Sequence, residues 1–460
     1  IGAGPSGLTA ARQLSQCKIN NRRLNVLVLE GAGRIGGRLF TDHTTAQDFG
    51  SPMELGAQNI HVEPGVAPIW NEVRRYNLRT KPIPKFWNGY VYNSEFLYPV
   101  PRSPLCNIAH FNFKLIRASR VFDDILNYGG ADISGERFMR LMGYDGFTAE
   151  SAEAVLTGHL GSPLNKVSIL GLQRDHVVAL LKNSIDHYVL GGYDSILRGM
   201  VRQITPQKIL LNHPVKKIVR GKNNTIQCYV PGVGWFSARS MLCTASIGML
   251  QSRSIDFTDF WTDEKEKALS FVIPAHQIKM SIRFKSQFWA DDMSMLNHLE
   301  AAERKTGKTY FVPHYGDSNR PPVLTALISG DPAKKLLPLA NEQILRLVCN
   351  DLDTMYKLPS SIFRKIAQRK DGSLIFNTKK WMDDAYAKGG ISYLQVHDRE
   401  GNIKVQNARD ALASSDNTEP LFWAGEATSL VQQPSSVHGA HASGLRAFSE
   451  IYNYLRKNNE

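Results

Sequence analysis

The sequence has few cysteines and no pattern among them. The five, at positions 17, 106, 228, 243 and 349, form no CxxC pair and are odd in number, so neither a zinc site nor a disulfide framework is suggested. Long apolar runs are missing as well: stretches such as Val26 to Leu29 fall far short of the ~20 residues that a membrane-spanning helix needs. There is no internal repeat and no low-complexity tract. With 42% apolar and 21% charged residues, the chain has the composition of a folded globular protein, not of a disordered one. Nor is there a Lys/Arg block. The 55 basic and 42 acidic residues give a formal charge of +13, but the basic residues are scattered, as around Lys114, Arg117 and Arg120. That pattern describes a generally basic surface with no clear nucleic-acid site, and it is a poor fit for steering cationic substrates.

What the chain does have is glycine in informative places. Its 460 residues predict about two or three domains. At the N-terminus, "IGAGPSGLTAARQL" sets Gly2, Gly4 and Gly7 in a GxGxxG spacing, followed by Leu8, Ala11 and Leu14 on one face of a helix. The first glycine permits a tight strand-to-helix turn, the second admits a pyrophosphate against backbone, and the third lets the helix pack on the strand. Phosphate then sits at the positive end of the helix. The next strand, "LNVLVLE", ends in Glu30, about 20 residues beyond the glycines, where a carboxylate accepts both ribose hydroxyls and repels a 2′-phosphate. A parallel sheet also needs a strand ahead of Gly2, so residues upstream of Ile1, with any leader, are expected to lie outside this sequence, and no compartment is assigned.

A second motif follows in "EGAGRIGGRLFT". Arg34, Gly36, Gly37 and Arg38 let backbone and guanidinium approach a second phosphate region, which separates FAD-binding flavoproteins from simple NAD dehydrogenases. From here the chain resembles the flavin-containing amine oxidase superfamily, with motifs nearest to the polyamine and spermine oxidases and the flavin-type lysine demethylases. "ELGAQNIHV" resembles the flavin-side loop of that branch, which implies that Gly56, Ala57 and Gln58 lie against the cofactor and that His61 faces the substrate channel. "LNHPVKKIV" resembles the strand whose valine, here Val215, meets adenine through its backbone. "LFWAGEATSLVQQPSSVHGAHASGL" resembles the C-terminal FAD signature. There Gly425 and Glu426 approach the phosphate and ribitol region, and Ser436 and Val437 open a helix aimed at the flavin pyrimidine. The resemblance adds Ser6 to the phosphate turn. A helix starting near Ser436 also makes physical sense, since its free N–H groups and positive dipole suit a flavin edge that becomes anionic on reduction.

The chain departs from that family's pattern at the substrate side. Where many members place a tyrosine at the flavin face, "AKGGISYLQ" has Ile391, with Tyr393 two residues on. Where monoamine oxidases have a second tyrosine, it has Ser436. The cysteine through which monoamine oxidases bond their flavin would fall at Gly390, so FAD is expected to be held non-covalently. Nothing suggests a metal site. Gln58 and Asn59, in place of an arginine, disfavour an amino-acid substrate.

Lys279 lies in "AHQIKMSIRFKSQFWA", where Ile278, Met280, Ile282 and Phe284 alternate with Lys279, Ser281, Arg283 and Lys285. The alternation predicts a strand with a solvated polar face. The resemblance implies otherwise. Lys279 is followed by Phe284, Phe288 and Trp289 at the family's spacing, so its ammonium is expected to hold a water against flavin N5.

The expected fold is α/β: a discontinuous Rossmann-like FAD-binding domain (1–80, 200–285 and 405–460) with an inserted α+β substrate domain (81–199 and 286–404). The helical part falls mainly in 104–199, where "SILGLQRDHVVALLKNSIDHYV" looks helically periodic. The expected activity is oxidation of a small-molecule amine, with oxygen as the final acceptor and Lys279 in the catalytic role. Two alternatives stay open at this level: an FAD-binding scaffold or interaction protein, and a related flavin dehydrogenase or desaturase with a non-amine substrate.

Overall fold

A computed structural model describes residues 1–83, 89–92, 97–99, 120–144, 146–176, 185–204, 206–223, 225–257, 259–298, 307–313, 315–317, 319–397, 404–415, 419–430 and 433–458. Lys114, Arg117 and Cys106 lie outside the described residues, whereas Arg120 is exposed. Cys17, Cys228, Cys243 and Cys349 are free thiols. No helix of the described residues is long and apolar enough to cross a membrane.

The glycine-rich N-terminus folds as a turn into the helix Pro5–Gln16, with Pro5 at a position where no intrahelical N–H is required. Gly2 has φ +98°, and a Cβ on Gly7 would fall 2.0 Å from the Gly2 carbonyl oxygen, so the helix closes onto the turn only if both are glycine. Gly2 N donates to Leu29 O at 2.8 Å and Thr244 N to Ile1 O at 3.0 Å. These bonds bridge two parallel strand pairs, Val28–Leu29 with Ile209–Leu210 and Met241–Cys243 with Leu421–Trp423. Stretches far apart in sequence thus meet in one parallel layer. The C-terminal helix Val437–Lys457 lies across Pro5–Gln16, so closely that a Cβ on Gly444 would stand 2.4 Å from Ser6 O. Beneath this crossing the fully buried Arg12 donates to Glu72 at 2.7 Å.

A seven-stranded sheet forms the second layer, in the order Phe376–Lys380, Gln277–Arg283, Val323–Ser329, Gly307–Phe311, Met295–His298, Gly89–Tyr92 and Leu97–Pro99. Its pairs are antiparallel except Met295–His298 with Gly89–Tyr92. Helix Asn341–Tyr356 buries Ile344, Leu345, Val348, Leu352 and Met355 at helical spacing, in one core with Ile278, Met280 and Ile282. The other face of Gln277–Arg283 is buried too: Gln277, Lys279 and Ser281 are all buried, and Ser281 bonds its register partner Thr325 at 2.8 Å. This corrects the expectation of a solvated polar face. The strand is interior and covered on both sides, so alternation there records which core a residue meets, not whether water reaches it.

A helical cluster surrounds Phe138, Leu156, Ile169 and Leu172, and it also takes in Ala275 and Tyr393. The helical reading of the 168–189 stretch holds only at its start. Ile169–Arg174 is a helix, residues 177–184 lie outside the described residues, and Asp186–Val189 is a strand paired antiparallel with Asn59–Ile60 and Thr80–Ile83. The β-forming Tyr188 finds partners on both sides, Asn59 and Lys81, and Val189 pairs with Thr80, so tertiary pairing overrides the local period.

Arg409, which no motif marked, ties the end of helix Ile169–Arg174 to strand Ser392–Leu394. Its Nε and Nη2 reach Asp175 at 2.9 and 2.7 Å, and Nη1 reaches Ser392 Oγ at 2.8 Å, all without solvent. Asp175→Ala leaves that guanidinium buried and half-bonded, and should lower the unfolding free energy by about 3–5 kcal/mol. Urea denaturation checks this, and a loss below about 1 kcal/mol would show the pair to be incidental.

Candidate active site

The glycine-rich turn leaves backbone uncovered at several points. A Cβ on Gly4 would have Gly36 O as its nearest neighbour at 3.9 Å, one on Gly37 only Gly4 Cα at 3.8 Å, and one on Gly425 nothing within 4 Å. Backbone is therefore open to a ligand from three loops that converge. Ser6 is buried in the first helical turn. Glu30 is buried at the end of its strand, accepting from Ala3 N at 2.7 Å and Ala32 N at 2.8 Å, which fixes the carboxylate beside the turn while leaving lone pairs on each oxygen. Val215 is buried two residues past His213, whose N–H donates to Glu30 O at 2.7 Å.

Arg38 links this turn to the C-terminal segment. Its Nη1 donates to Glu426 Oε1 at 2.7 Å and to Gly390 O at 2.5 Å, and Ser392 Oγ donates to Glu426 Oε2 at 2.7 Å. Burial alone would raise the Glu426 carboxyl, but Arg38, Arg409 and Ser392 outweigh it and hold the pKa below the usual range. Arg34 has a structural part instead, donating to Gly37 O at 2.8 Å with its guanidinium over the Phe40 ring.

Lys279 is placed against the loop that starts at Glu54. Its Nζ donates to Gly56 O at 3.0 Å and to Gln58 Oε1 at 2.9 Å. The loop is rigid where the lysine meets it: Trp381 Nε1 donates to Leu55 O at 3.0 Å, and a Cβ on Gly56 would fall 2.0 Å from Arg38 O. Ala57 N bonds Arg38 O at 3.0 Å. Burial lowers the Lys279 pKa to about 8, with the Glu54 charge pulling it back up. Glu54 in turn is raised to about 7 by burial, against hydrogen bonds from Tyr193 N and Thr41 Oγ1 and the attraction of Lys279. The sequence reading missed Glu54, although a carboxylate inside the apolar "MELGA" was a usable signal.

The residues expected on the substrate side fall in different surroundings. His61 stays partly exposed, with Nδ1 2.9 Å from Asp186 Oδ1 and its ring 6.3 Å from that of His438 in the first turn of Val437–Lys457. Ser436 is the N-cap of that helix, accepting from Gly439 N at 3.0 Å and donating to Gln433 O at 2.7 Å, with Val437 buried behind it. Ile391, just ahead of strand Ser392–Leu394, and Tyr393 within it both pack in the helical cluster, where Tyr393 bonds Ser162. A Cβ on Gly390 would fall 2.0 Å from Gln277 Oε1, so a cysteine there would have to displace that side chain.

Known proteins match along nearly the whole chain. A family model described as flavin containing amine oxidoreductase covers residues 5–451. Lysine-specific histone demethylase 1 homolog 2 of Arabidopsis thaliana is 27% identical over 100% of this chain and 59% of its own length. Polyamine oxidase 5 of Oryza sativa subsp. japonica is 25% identical over 99% of this chain and 87% of its own. The chain therefore spans less than two thirds of the demethylase homologue. Among solved structures, cyclohexylamine oxidase from Brevibacterium oxydans IH-35A superposes with a TM-score of 0.76 at 18% identity, covering 99% of this chain and 98% of that one. Wild-type putrescine oxidase bound to putrescine gives 0.75 at 16%, with 98% of each chain covered. These likenesses establish a shared fold.

The Glu54–Lys279 pair gives stability a definite pH dependence. Between its ordinary 4.5 and about 7, folded Glu54 keeps a proton that the unfolded chain has lost, so its contribution is complete below about pH 4.5 and disappears as pH rises through 7. Lys279 acts in the other direction, its contribution being present above 10.5 and lost as pH falls through about 8. Glu54→Gln should flatten the decline between pH 4.5 and 7 in unfolding free energies measured with urea. An unchanged slope would mean that Glu54 is ionised throughout.

Proposed function

The chain belongs to the flavin containing amine oxidoreductases, and on that footing we propose that it binds FAD non-covalently and oxidises a small-molecule amine. The observation that carries this reading is the buried Lys279 ammonium, held against the Glu54–Gln58 loop next to an open dinucleotide cradle.

FAD fits the residues present. Gly4, Gly37 and Gly425 leave room for a pyrophosphate against backbone, with Gly2, Ser6 and Gly7 shaping the turn. Glu30 has lone pairs to spare for ribose hydroxyls. Arg38 and Glu426 form a fixed, neutral pair at the phosphate side, and Val215 supplies backbone on the adenine side. The N-terminus of Val437–Lys457, capped by Ser436, offers N–H groups to the flavin ring. The bond-forming cysteine of monoamine oxidases has no counterpart at Gly390. The reading also carries a division of the chain into a Rossmann-like FAD unit (1–80, 200–285, 405–460) and a substrate unit (81–199, 286–404). The Gln277–Arg283 strand is where the two meet. Its sheet partners lie in the second unit, and its Lys279 reaches Gly56 and Gln58 of the first.

When bound, the flavin supplies an acceptor for hydride from the amine's α-carbon and a reductant that turns oxygen into hydrogen peroxide. The protein orients and desolvates. An ammonium has three donors; two of those on Lys279 go to Gly56 O and Gln58 Oε1, and the third is proposed to hold a water at the flavin face. A positive charge fixed there favours negative charge developing on the ring. The same charge disfavours a cationic amine, so the substrate must lose its proton before its α-carbon can give up hydride. Ile391 and Tyr393 present an apolar wall in place of a two-tyrosine cage, and His61 stands at the polar side.

Anaerobic titration of the purified yellow protein with a panel of amines tests the proposal. At least one amine should bleach the oxidised-flavin band, with peroxide appearing on aeration. If no amine bleaches a flavin that dithionite still reduces, amine oxidation is excluded, and a scaffold or a non-amine substrate takes its place.

A further inference from the structure

His61 is held by a carboxylate that no sequence motif marked. Asp186 Oδ1 lies 2.9 Å from His61 Nδ1, and Asn59 Nδ2 donates to Asp186 Oδ2 at 3.0 Å. Asp186 and Asn59 are both buried, and the arrangement is set by backbone register. Strand Asp186–Val189 pairs with Asn59–Ile60, placing Tyr188 opposite Asn59 and His187 opposite Ile60, and pairs on its other edge with Thr80–Ile83. The register holds the Asp186 backbone, and the bonds to Asn59 and His61 hold its carboxylate. A carboxylate only accepts, so the neutral imidazole beside it carries its proton on Nδ1 and its lone pair on Nε2.

Resting on the amine-oxidising reading above, we propose that Asp186, braced by Asn59, is the positioning residue that makes His61 Nε2 the acceptor of the proton shed by the incoming ammonium. The N–H bond of the ammonium breaks, its proton bonds to Nε2, and the amine nitrogen keeps the electron pair. The resulting imidazolium is stabilised by the Asp186 carboxylate and returns its proton to solvent through its exposed edge. His61 is suited to the task by place as well as tautomer. It lies three residues after Gln58, which bonds Lys279, and its ring stands edge-on to His438 at the start of the helix proposed to face the flavin. Among the described residues, the titratable groups around it include Lys279 with Glu54 on the neighbouring loop, His438, and His187 with Glu63 at 3.6 Å, together with Tyr188 and Tyr193 near Asp186. Burial holds both tyrosine hydroxyls far above neutral pH, so neither competes as a base.

Asp186→Asn discriminates this role from simple packing. Its amide oxygen would accept from Asn59 and its NH₂ would face His61 Nδ1, which forces the imidazole proton onto Nε2 and removes the acceptor. In ¹⁵N spectra of the flavin-loaded protein, wild-type His61 should be the Nδ1–H tautomer and the variant the Nε2–H tautomer. A wild-type Nε2–H tautomer overturns the proposal whatever the variant does. In stopped-flow anaerobic reduction by an amine that bleaches the wild type, Asp186→Asn should be slowed more than about tenfold at pH 7. It should recover as pH approaches the amine's own pKa, where solvent has already removed the proton, and Asp186→Glu should restore much of the neutral-pH rate. Wild-type speed at pH 7, or a deficit equal at every pH, overturns the proposal. If no amine bleaches the wild type, this inference falls with the amine reading; bleaching of the wild type with an unaffected variant removes this inference alone.

Discussion

A buried ammonium constrains this molecule more than any other single group. Lys279 sits on an interior strand, out of water, with a carbonyl, an amide oxygen and the charge of Glu54 in place of solvent. Burying such a charge is unfavourable by several kcal/mol unless it is paired and hydrogen-bonded. The surroundings answer that demand: the Glu54–Gln58 loop turns its oxygens inward, Trp381 pins the loop from the seven-stranded sheet, and Gly56 allows it to pass Arg38. A lysine needed only for structure would be replaced at little loss by an apolar residue of similar length. A charge buried at that cost makes sense if it is used.

A second buried polar cluster holds the cradle together. Glu426 receives Arg38 from the second glycine motif and Ser392 from strand Ser392–Leu394, and Ser392 in turn receives Arg409, which is locked to Asp175. Chain segments from 38 to 426 are thereby fixed around one carboxylate. Because these groups are dry, each bond is strong and each missing partner costly. The loops around Gly4, Gly37 and Gly425 are consequently prearranged, so a ligand bound there need not order them.

The sequence carried most of the glycine-rich turn and the helix caps and less of the rest. Gly2, Gly4 and Gly7, with Pro5 opening a helix, are constraints on backbone alone, so they can be read without a fold. Ser436 as a helix cap is of the same kind: its side chain bonds a backbone N–H only three residues on. What could not be read depends on distant strands. The alternation around Lys279 showed a strand, but whether its polar face was wet depended on which layers covered it. Asp186 lies in a stretch whose period suggested helix, and its partner His61 comes from another strand altogether. Arg409 and Asp175 are likewise far apart in sequence, and a lone buried pair leaves no local pattern. Glu54 is the one omission that local reasoning had the means to avoid.

The central claim is that the Lys279 charge acts in flavin chemistry rather than in folding. Lys279→Met keeps the length of the side chain and removes its charge and donors. Stopped-flow measurement of both half-reactions, flavin reduction by amine and reoxidation by oxygen, tests the claim most directly. The account predicts normal FAD content and fold, with at least one half-reaction slowed by more than about tenfold, equivalent to about 1.4 kcal/mol of barrier. Wild-type rates in both half-reactions would contradict it and leave Lys279 as a buried strut between sheet and loop.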